Sequence, residues 1–292
     1  MHDIVLDTPF GPLAALRREG PAGAPLVLAL HGWLDNAASF IPLAAQLPGC
    51  TLVALDLPGH GHSAHLPAAA DYTLVAAARA GFAAADALGW ERFVLLGHSL
   101  GGATATVMAA ARPERIDTLL LIEALGGLSE EDDRAAGRLR DAFAAHARPQ
   151  PPLRVFGDIA TAARARVQAN GMTPANARLL VERGLRAVDG GHAWRSDPRL
   201  TRPTAVRMGE AQTRDLIASI ECPVHLVAAD PPPPYFTAER RAARAALLRD
   251  GHVTVLPGSH HLHMDDAPAV AAVFAPVLAR TMAGPVAAAS TP

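Results

Sequence analysis

The sequence predicts an α/β fold with a mostly parallel central sheet, flanking helices and an inserted helical cap, and three observations carry that reading. Short, continuously apolar runs recur at residues 25–30, 51–55, 93–96, 116–122, 223–229 and 252–256, as strands buried on both faces require. Helical stretches over 39–47, 73–88, 101–111, 238–249 and 267–281 lie between or after them, and strands that alternate with helices pair in parallel. The rhythm breaks over 126–210, where arginine-rich helical segments at 130–147 and 176–188 replace strands.

Residues 4–6 and 13–17, split by Pro9-Phe10-Gly11-Pro12, read as an opening hairpin. Pro25-Leu26-Val27-Leu28-Ala29-Leu30 makes a buried strand that ends at His31-Gly32. The core domain therefore spans 1–125 and 211–282, with the cap at 126–210. The small residues and prolines of 283–292 read as a disordered tail.

With 292 residues, half of them hydrophobic, the chain can bury a large single core. A net charge of −2 with no lysine- or arginine-rich block argues against nucleic acid or an anionic membrane and favours a small-molecule substrate. Cys50 and Cys222 are far apart, each beside a strand, so buried thiols in a reducing cytoplasm are expected rather than a disulfide framework. Asp3 stands where a signal peptide needs basic residues, and no apolar run reaches the ~20 residues of a membrane span. Nothing in the sequence calls for a cofactor.

The chemistry starts from Gly97-His98-Ser99-Leu100-Gly101, which follows the apolar run Phe93-Val94-Leu95-Leu96 and precedes a helical stretch. Strand, sharp turn and helix are the context in which a serine is presented as a nucleophile. A serine hydroxyl needs a base, an acid to orient that base, and donors for the oxyanion. Bases cluster in Ser259-His260-His261-Leu262-His263, after the last strand; His260 is preferred, His261 is its rival, and His263 reads as a packing residue. Three histidines in four positions also admit a metal site, but neighbouring rings on an extended loop diverge and no second group of ligands answers them in the sequence, so none is expected. For the acid, Glu123 ends the apolar strand Leu119-Leu120-Leu121-Ile122, whereas Asp230 runs into Pro231-Pro232-Pro233-Pro234, which constrains its loop. Glu123 is favoured and Asp230 is the alternative. The backbone N–H groups of Trp33 and Leu100 are the candidate oxyanion donors. His31 reads as a turn-holding residue, and Arg183, Arg186, Arg195 and Arg202 as solvated charge.

These pieces resemble the α/β-hydrolase superfamily over nearly the whole chain. The resemblance rests on Leu30-His31-Gly32-Trp33-Leu34-Asp35-Asn36-Ala37-Ala38-Ser39-Phe40, on Ala54-Leu55-Asp56-Leu57-Pro58-Gly59-His60-Gly61-His62-Ser63, on the serine turn and on the terminal histidine loop. The first of these blocks, with Asp189-Gly190-Gly191-His192-Ala193-Trp194-Arg195-Ser196-Asp197-Pro198-Arg199-Leu200, looks like the serine hydrolase-like proteins. Members of the superfamily commonly place the acid in a Gly-x-x-Asp pattern after the strand corresponding to 224–229. Here Ala229-Asp230-Pro231-Pro232 departs from that pattern, and some haloalkane dehalogenases of this fold carry a glutamate at the position equivalent to Glu123. Those dehalogenases and the epoxide hydrolases use an aspartate nucleophile; Ser99 implies acyl chemistry on esters, thioesters or amides instead.

Three other functions fit parts of the sequence. Gly59-His60-Gly61-His62-Ser63-Ala64 matches a dinucleotide fingerprint formally, but Pro58 and Leu66-Pro67 leave no helix opening at the glycines, and Asp86 falls inside a helical stretch. A non-catalytic ligand-binding protein of the same fold would keep the architecture without turnover. An acyltransferase would carry the same residues as a hydrolase.

Overall fold

A computed structural model describes residues 1–130, 132–150 and 152–282; the expected tail at 283–292 lies outside the described residues. Eight strands form the main sheet: β1 (His2–Thr8), β2 (Gly11–Arg18), β3 (Leu26–Leu30), β4 (Thr51–Leu55), β5 (Phe93–His98), β6 (Ile116–Ile122), and, beyond a long insertion, two more (Val224–Asp230 and Gly251–Pro257). Between β6 and the Val224 strand come β7 (Val155–Phe156), β8 (Leu185–Val188) and β9 (Gly191–Trp194), so the last two strands of the main sheet are β10 and β11. The sheet order is β1-β2-β4-β3-β5-β6-β10-β11. β1 and β2 form an antiparallel hairpin, β2 runs antiparallel to β4, and every other neighbouring pair is parallel.

The helices are α1 (Ile41–Gln46), α2 (Leu74–Ala87), α3 (Leu100–Ala111), α4 (Ala135–Ala147), α5 (Ile159–Asn170), α6 (Pro174–Gly184), α7 (Glu210–Ala218), α8 (Ala238–Ala245), α9 (Leu262–Asp265) and α10 (Ala267–Met282). Each apolar strand divides its side chains between two cores because successive residues point to opposite faces. Leu28, Leu30, Val53, Leu55, Leu95 and Leu121 pack against α2 and α3 through Ala80, Ala84, Ala105 and Met108. Val27, Ala29, Leu52, Ala54, Leu96 and Ile122 pack against α1 and α10 through Leu43, Val270 and Phe274. The parallel strands therefore all end at one edge, and the loops that leave that edge carry His31 to Asp35, Ser99, Glu123, Asp230 to Tyr235, and His260.

The inserted segment is not wholly helical as the sequence reading has it. The helix expected over 176–188 stops at Gly184, and Leu185–Val188 is β8, which pairs with β9 and through it with β7 in a small antiparallel sheet. The turn at Asp189-Gly190, with Gly190 at φ 79°, is the hairpin signal that the helical pattern obscured. The ends of the segment meet where Glu130 bridges Gly209. Arg183 of α6 is buried, not solvated: it pairs with the buried carboxylate of Asp56 at 2.8 Å and with Asp3 at 2.6 Å. Asn36 donates to the Leu180 carbonyl at 2.8 Å, and Arg166 of α5 pairs with Asp35. Both cysteines are free, Cys50 buried and Cys222 half-buried, and burial pushes the Cys222 thiol up to about 12. No helix among the described residues is long and apolar enough to cross a membrane.

Candidate active site

β5 is buried throughout and delivers Ser99 directly to the first turn of α3. Ser99 has φ 52° and ψ −114°, a conformation that a non-glycine residue holds only when its surroundings fix it. They do so here: the Ser99 N–H donates to Ile122 at 3.0 Å and its carbonyl accepts from Ala103 at 2.9 Å. The flanking glycines are required by close approach. A Cβ on Gly101 would lie 1.8 Å from the Leu30 carbonyl oxygen, and one on Gly97 would lie 2.5 Å from the carbonyl oxygen of Gly101.

Glu123 leaves the end of β6 with φ 58° and is 1% exposed. Its N–H donates to Val227 at 3.0 Å, and its Oε1 accepts from the Ala229 N–H at 2.6 Å. This leaves Oε2 facing His260 Nδ1 at 3.2 Å. Asp230, the alternative acid, is exposed at the end of β10 and contacts the histidine loop through its carbonyl, which accepts from Gly258 at 3.2 Å. The structure thus brings Glu123 to His260 and leaves Asp230 apart from it.

Tyr235, which sequence reasoning missed, stands beside the same ring with its hydroxyl 3.0 Å from Nδ1 and 3.4 Å from Nε2. Burial and the neighbouring Glu123 push its phenol up to about 12, so it is neutral. The only signal for it in the sequence is an aromatic residue after four prolines. Glu123 and Tyr235 are the hydrogen-bond partners of the His260 ring among the described residues, and Ser99 Oγ makes no hydrogen bond to it. Such contacts often tighten only when substrate binds.

His261 is turned away from this group. It is buried, with Nε2 3.2 Å from Asp35 Oδ2. His263 is buried against Phe40 and His98, and burial first, then the neighbouring His261 ring, pushes its ring down to about 3. His98, directly before the serine, donates from Nε2 to the His260 carbonyl at 2.8 Å, and burial holds its ring well below the usual imidazole range. The histidines therefore have answering groups after all, since Asp35 and His98 converge on His261.

Trp33 lies on the loop after β3, its ring half exposed, with Nε1–H donating to Leu200 at 3.0 Å. Leu100 is the first residue of α3. Neither of their backbone N–H groups has an acceptor among the described residues; for Leu100 this follows from its place in the first turn of α3, whose donors are open. His31 does hold a turn: Nδ1 donates to Gly32 at 2.7 Å and Nε2 accepts from Leu57 at 3.0 Å. The Gly59 to Ala64 run is a turn with no helix before Leu74, so it offers a pyrophosphate no helix N-terminus.

Residues 25–172 match the family model for the alpha/beta hydrolase fold. A serine hydrolase-like protein of Dictyostelium discoideum is 28% identical over 82% of this chain and 71% of its own. A probable serine hydrolase of Drosophila melanogaster is 30% identical over 82% and 76% respectively. The crystal structure of a hypothetical protein from Pseudomonas aeruginosa PAO1 is 42% identical with a TM-score of 0.89, covering 96% of this chain and all of that one. The family model covers half of the chain and the Drosophila relative is 30% identical over most of it, so the chain belongs to the α/β-hydrolase family.

Proposed function

We propose that this protein is a serine hydrolase that cleaves a small-molecule ester, thioester or amide through an acyl-enzyme on Ser99. The observation that carries the reading is the buried Glu123 carboxylate fixed at one oxygen by the Ala229 N–H and facing His260 Nδ1 with the other. A carboxylate so held sets the imidazole tautomer, with the proton on Nδ1 and a free lone pair on Nε2. Ser99 Oγ attacks the acyl carbon as Nε2 takes its proton, and the carbonyl π electrons move to the oxygen, which the N–H groups of Trp33 and Leu100 stabilise. Collapse of the tetrahedral species breaks the bond to the leaving group, which takes the proton from Nε2. Water then repeats the cycle at the acyl-enzyme, losing a proton to Nε2 and releasing the acid with Ser99 restored. Glu123 Oε2 holds and stabilises the imidazolium in both halves.

A fluorophosphonate probe tests this directly. Labelling confined to Ser99, located by peptide mass spectrometry and lost in Ser99→Ala, supports the reading; a folded protein that resists the probe refutes it and favours a ligand-binding role. Hydrolysis of p-nitrophenyl esters then ranks the acids: Glu123→Gln should lower kcat by about 10²–10⁴-fold, and Asp230→Asn by less than about threefold. The opposite ranking moves the acid to Asp230.

A further inference from the structure

Beneath the proposed triad lies a closed cluster that the reaction does not use. Asp35, His98 and His261 come from the loop after β3, the end of β5 and the loop after β11, and all three are buried. Asp35 Oδ2 is 3.7 Å from His98 Nδ1 and 3.2 Å from His261 Nε2, and the three atoms lie within 4.8 Å of one another. An ion bound at 2.0–2.1 Å with tetrahedral to trigonal angles separates its ligand atoms by about 3.3–3.7 Å.

The protons of the cluster leave a gap where a cation fits. His98 donates from Nε2 to the His260 carbonyl, so its Nδ1 carries a lone pair. That lone pair and Asp35 Oδ2 face each other as two acceptors with no donor between them. His98 Nδ1, His261 Nδ1 and both nitrogens of His263 are buried without a hydrogen-bond partner among the described residues, a concentration of orphaned groups that native interiors rarely hold. A histidine whose far nitrogen donates to a backbone carbonyl is the usual posture of a metal ligand. Gly32 keeps the space open: a Cβ there would stand 2.9 Å from Asp35 Oδ2 and 3.0 Å from His98 Nδ1.

We propose that Asp35, His98 and His261 bind one divalent transition-metal ion of the zinc or copper class between Asp35 Oδ2, His98 Nδ1 and His261 Nε2. Two imidazoles and one carboxylate suit these ions. Magnesium and calcium are disfavoured, because they need several oxygen ligands and the carboxylate already spends its other oxygen on Arg166. The guanidinium also opposes the incoming charge, so its removal tightens binding. Occupancy withdraws Asp35 from His261 and pins the loop that carries His260, which slows turnover; this consequence rests on the hydrolase reading above, whereas the site itself does not.

Full-length protein is incubated with Zn²⁺, Cu²⁺ or Mg²⁺, freed of unbound ion and assayed for metal per chain, and Zn²⁺ affinity is measured by chelator competition. The expected result is one Zn²⁺ or Cu²⁺ and no Mg²⁺, with affinity reduced at least about tenfold in Asp35→Asn and in His261→Gln and raised in Arg166→Gln. His225→Gln/His252→Gln, which removes the stacked pair on β10 and β11, should keep the full equivalent. No uptake by the wild type, or uptake that follows His225 and His252 instead of Asp35, overturns the proposal. If the ligand variants fail to fold, an anomalous difference map from a Zn²⁺-soaked wild-type crystal decides: a peak among the three named atoms upholds the site, and its absence refutes it. Uptake in protein that no fluorophosphonate labels upholds the metal site and refutes the hydrolase reading; labelling without uptake does the reverse.

Discussion

At Gly101 the missing side chain is what lets α3 start against the end of β3. Gly101→Ala places a Cβ within 1.8 Å of the Leu30 carbonyl oxygen, and backbone on both sides has little room to yield. The variant should lose on the order of 3 kcal/mol of stability, read as a lowered urea midpoint, and with it any fluorophosphonate labelling of Ser99. Glu123 was legible at this scale because an acid that closes so apolar a strand must emerge at the carboxyl edge of the sheet beside Ser99. Tyr235 was not legible. Its place depends on how the four-proline loop after β10 folds back over His260, and nothing local in the sequence fixes that path.

Between elements, the inserted segment is tied to the core by polar contacts at Asp35, Asn36 and Asp56. Of the two ion pairs among these, that of Arg183 on α6 with Asp56 after β4 is the more deeply buried: its side chains are 7% and 0% exposed, against 12% and 2% for Arg166 and Asp35. Asp56 also accepts from the N–H groups of Ala37 at 2.7 Å and His62 at 2.9 Å, so it organises two loops besides the pair. Arg183→Met leaves that carboxylate buried without its cation and should destabilise the fold by about 3–5 kcal/mol, measured by urea denaturation. The expectation that Arg183 is solvated fails because an arginine on a helix with mixed polarity gives no sign of which face it occupies until the facing acid, more than a hundred residues away, is known. β8 was missed for a related reason: four residues with an arginine inside satisfy a helical pattern as well as a strand, and pairing with β9 decides.

Across the whole molecule, neutral histidines packed around the carboxyl edge of the sheet make stability depend on acid. Burial pushes His60 and His263 down to about 3 from an ordinary 6.5, and His31 and His98 are lowered for the same reason. Between those limits the unfolded chain binds protons that the folded chain refuses, so stability is full above pH 6.5 and falls as the pH drops toward 3. His60 and His263 should each account for about 2 kcal/mol of loss by pH 5. A thermal melt should therefore show Tm falling steeply from pH 7 to 5, and a flat profile over that interval would contradict the burial argument.

The sequence by itself determined the α/β architecture, the serine at its elbow, and the order of Ser99, Glu123 and His260 along the chain. Those features are written in local patterns: apolar runs of strand length, glycines at fixed offsets from Ser99, and polar residues at strand ends. Only the tertiary structure decided that Glu123 rather than Asp230 meets His260, that Arg183 is an interior tie, and that Asp35 and His98 answer His261. Each of these is a meeting of side chains far apart in sequence, and its geometry follows from the order and register of the strands, which no single segment encodes.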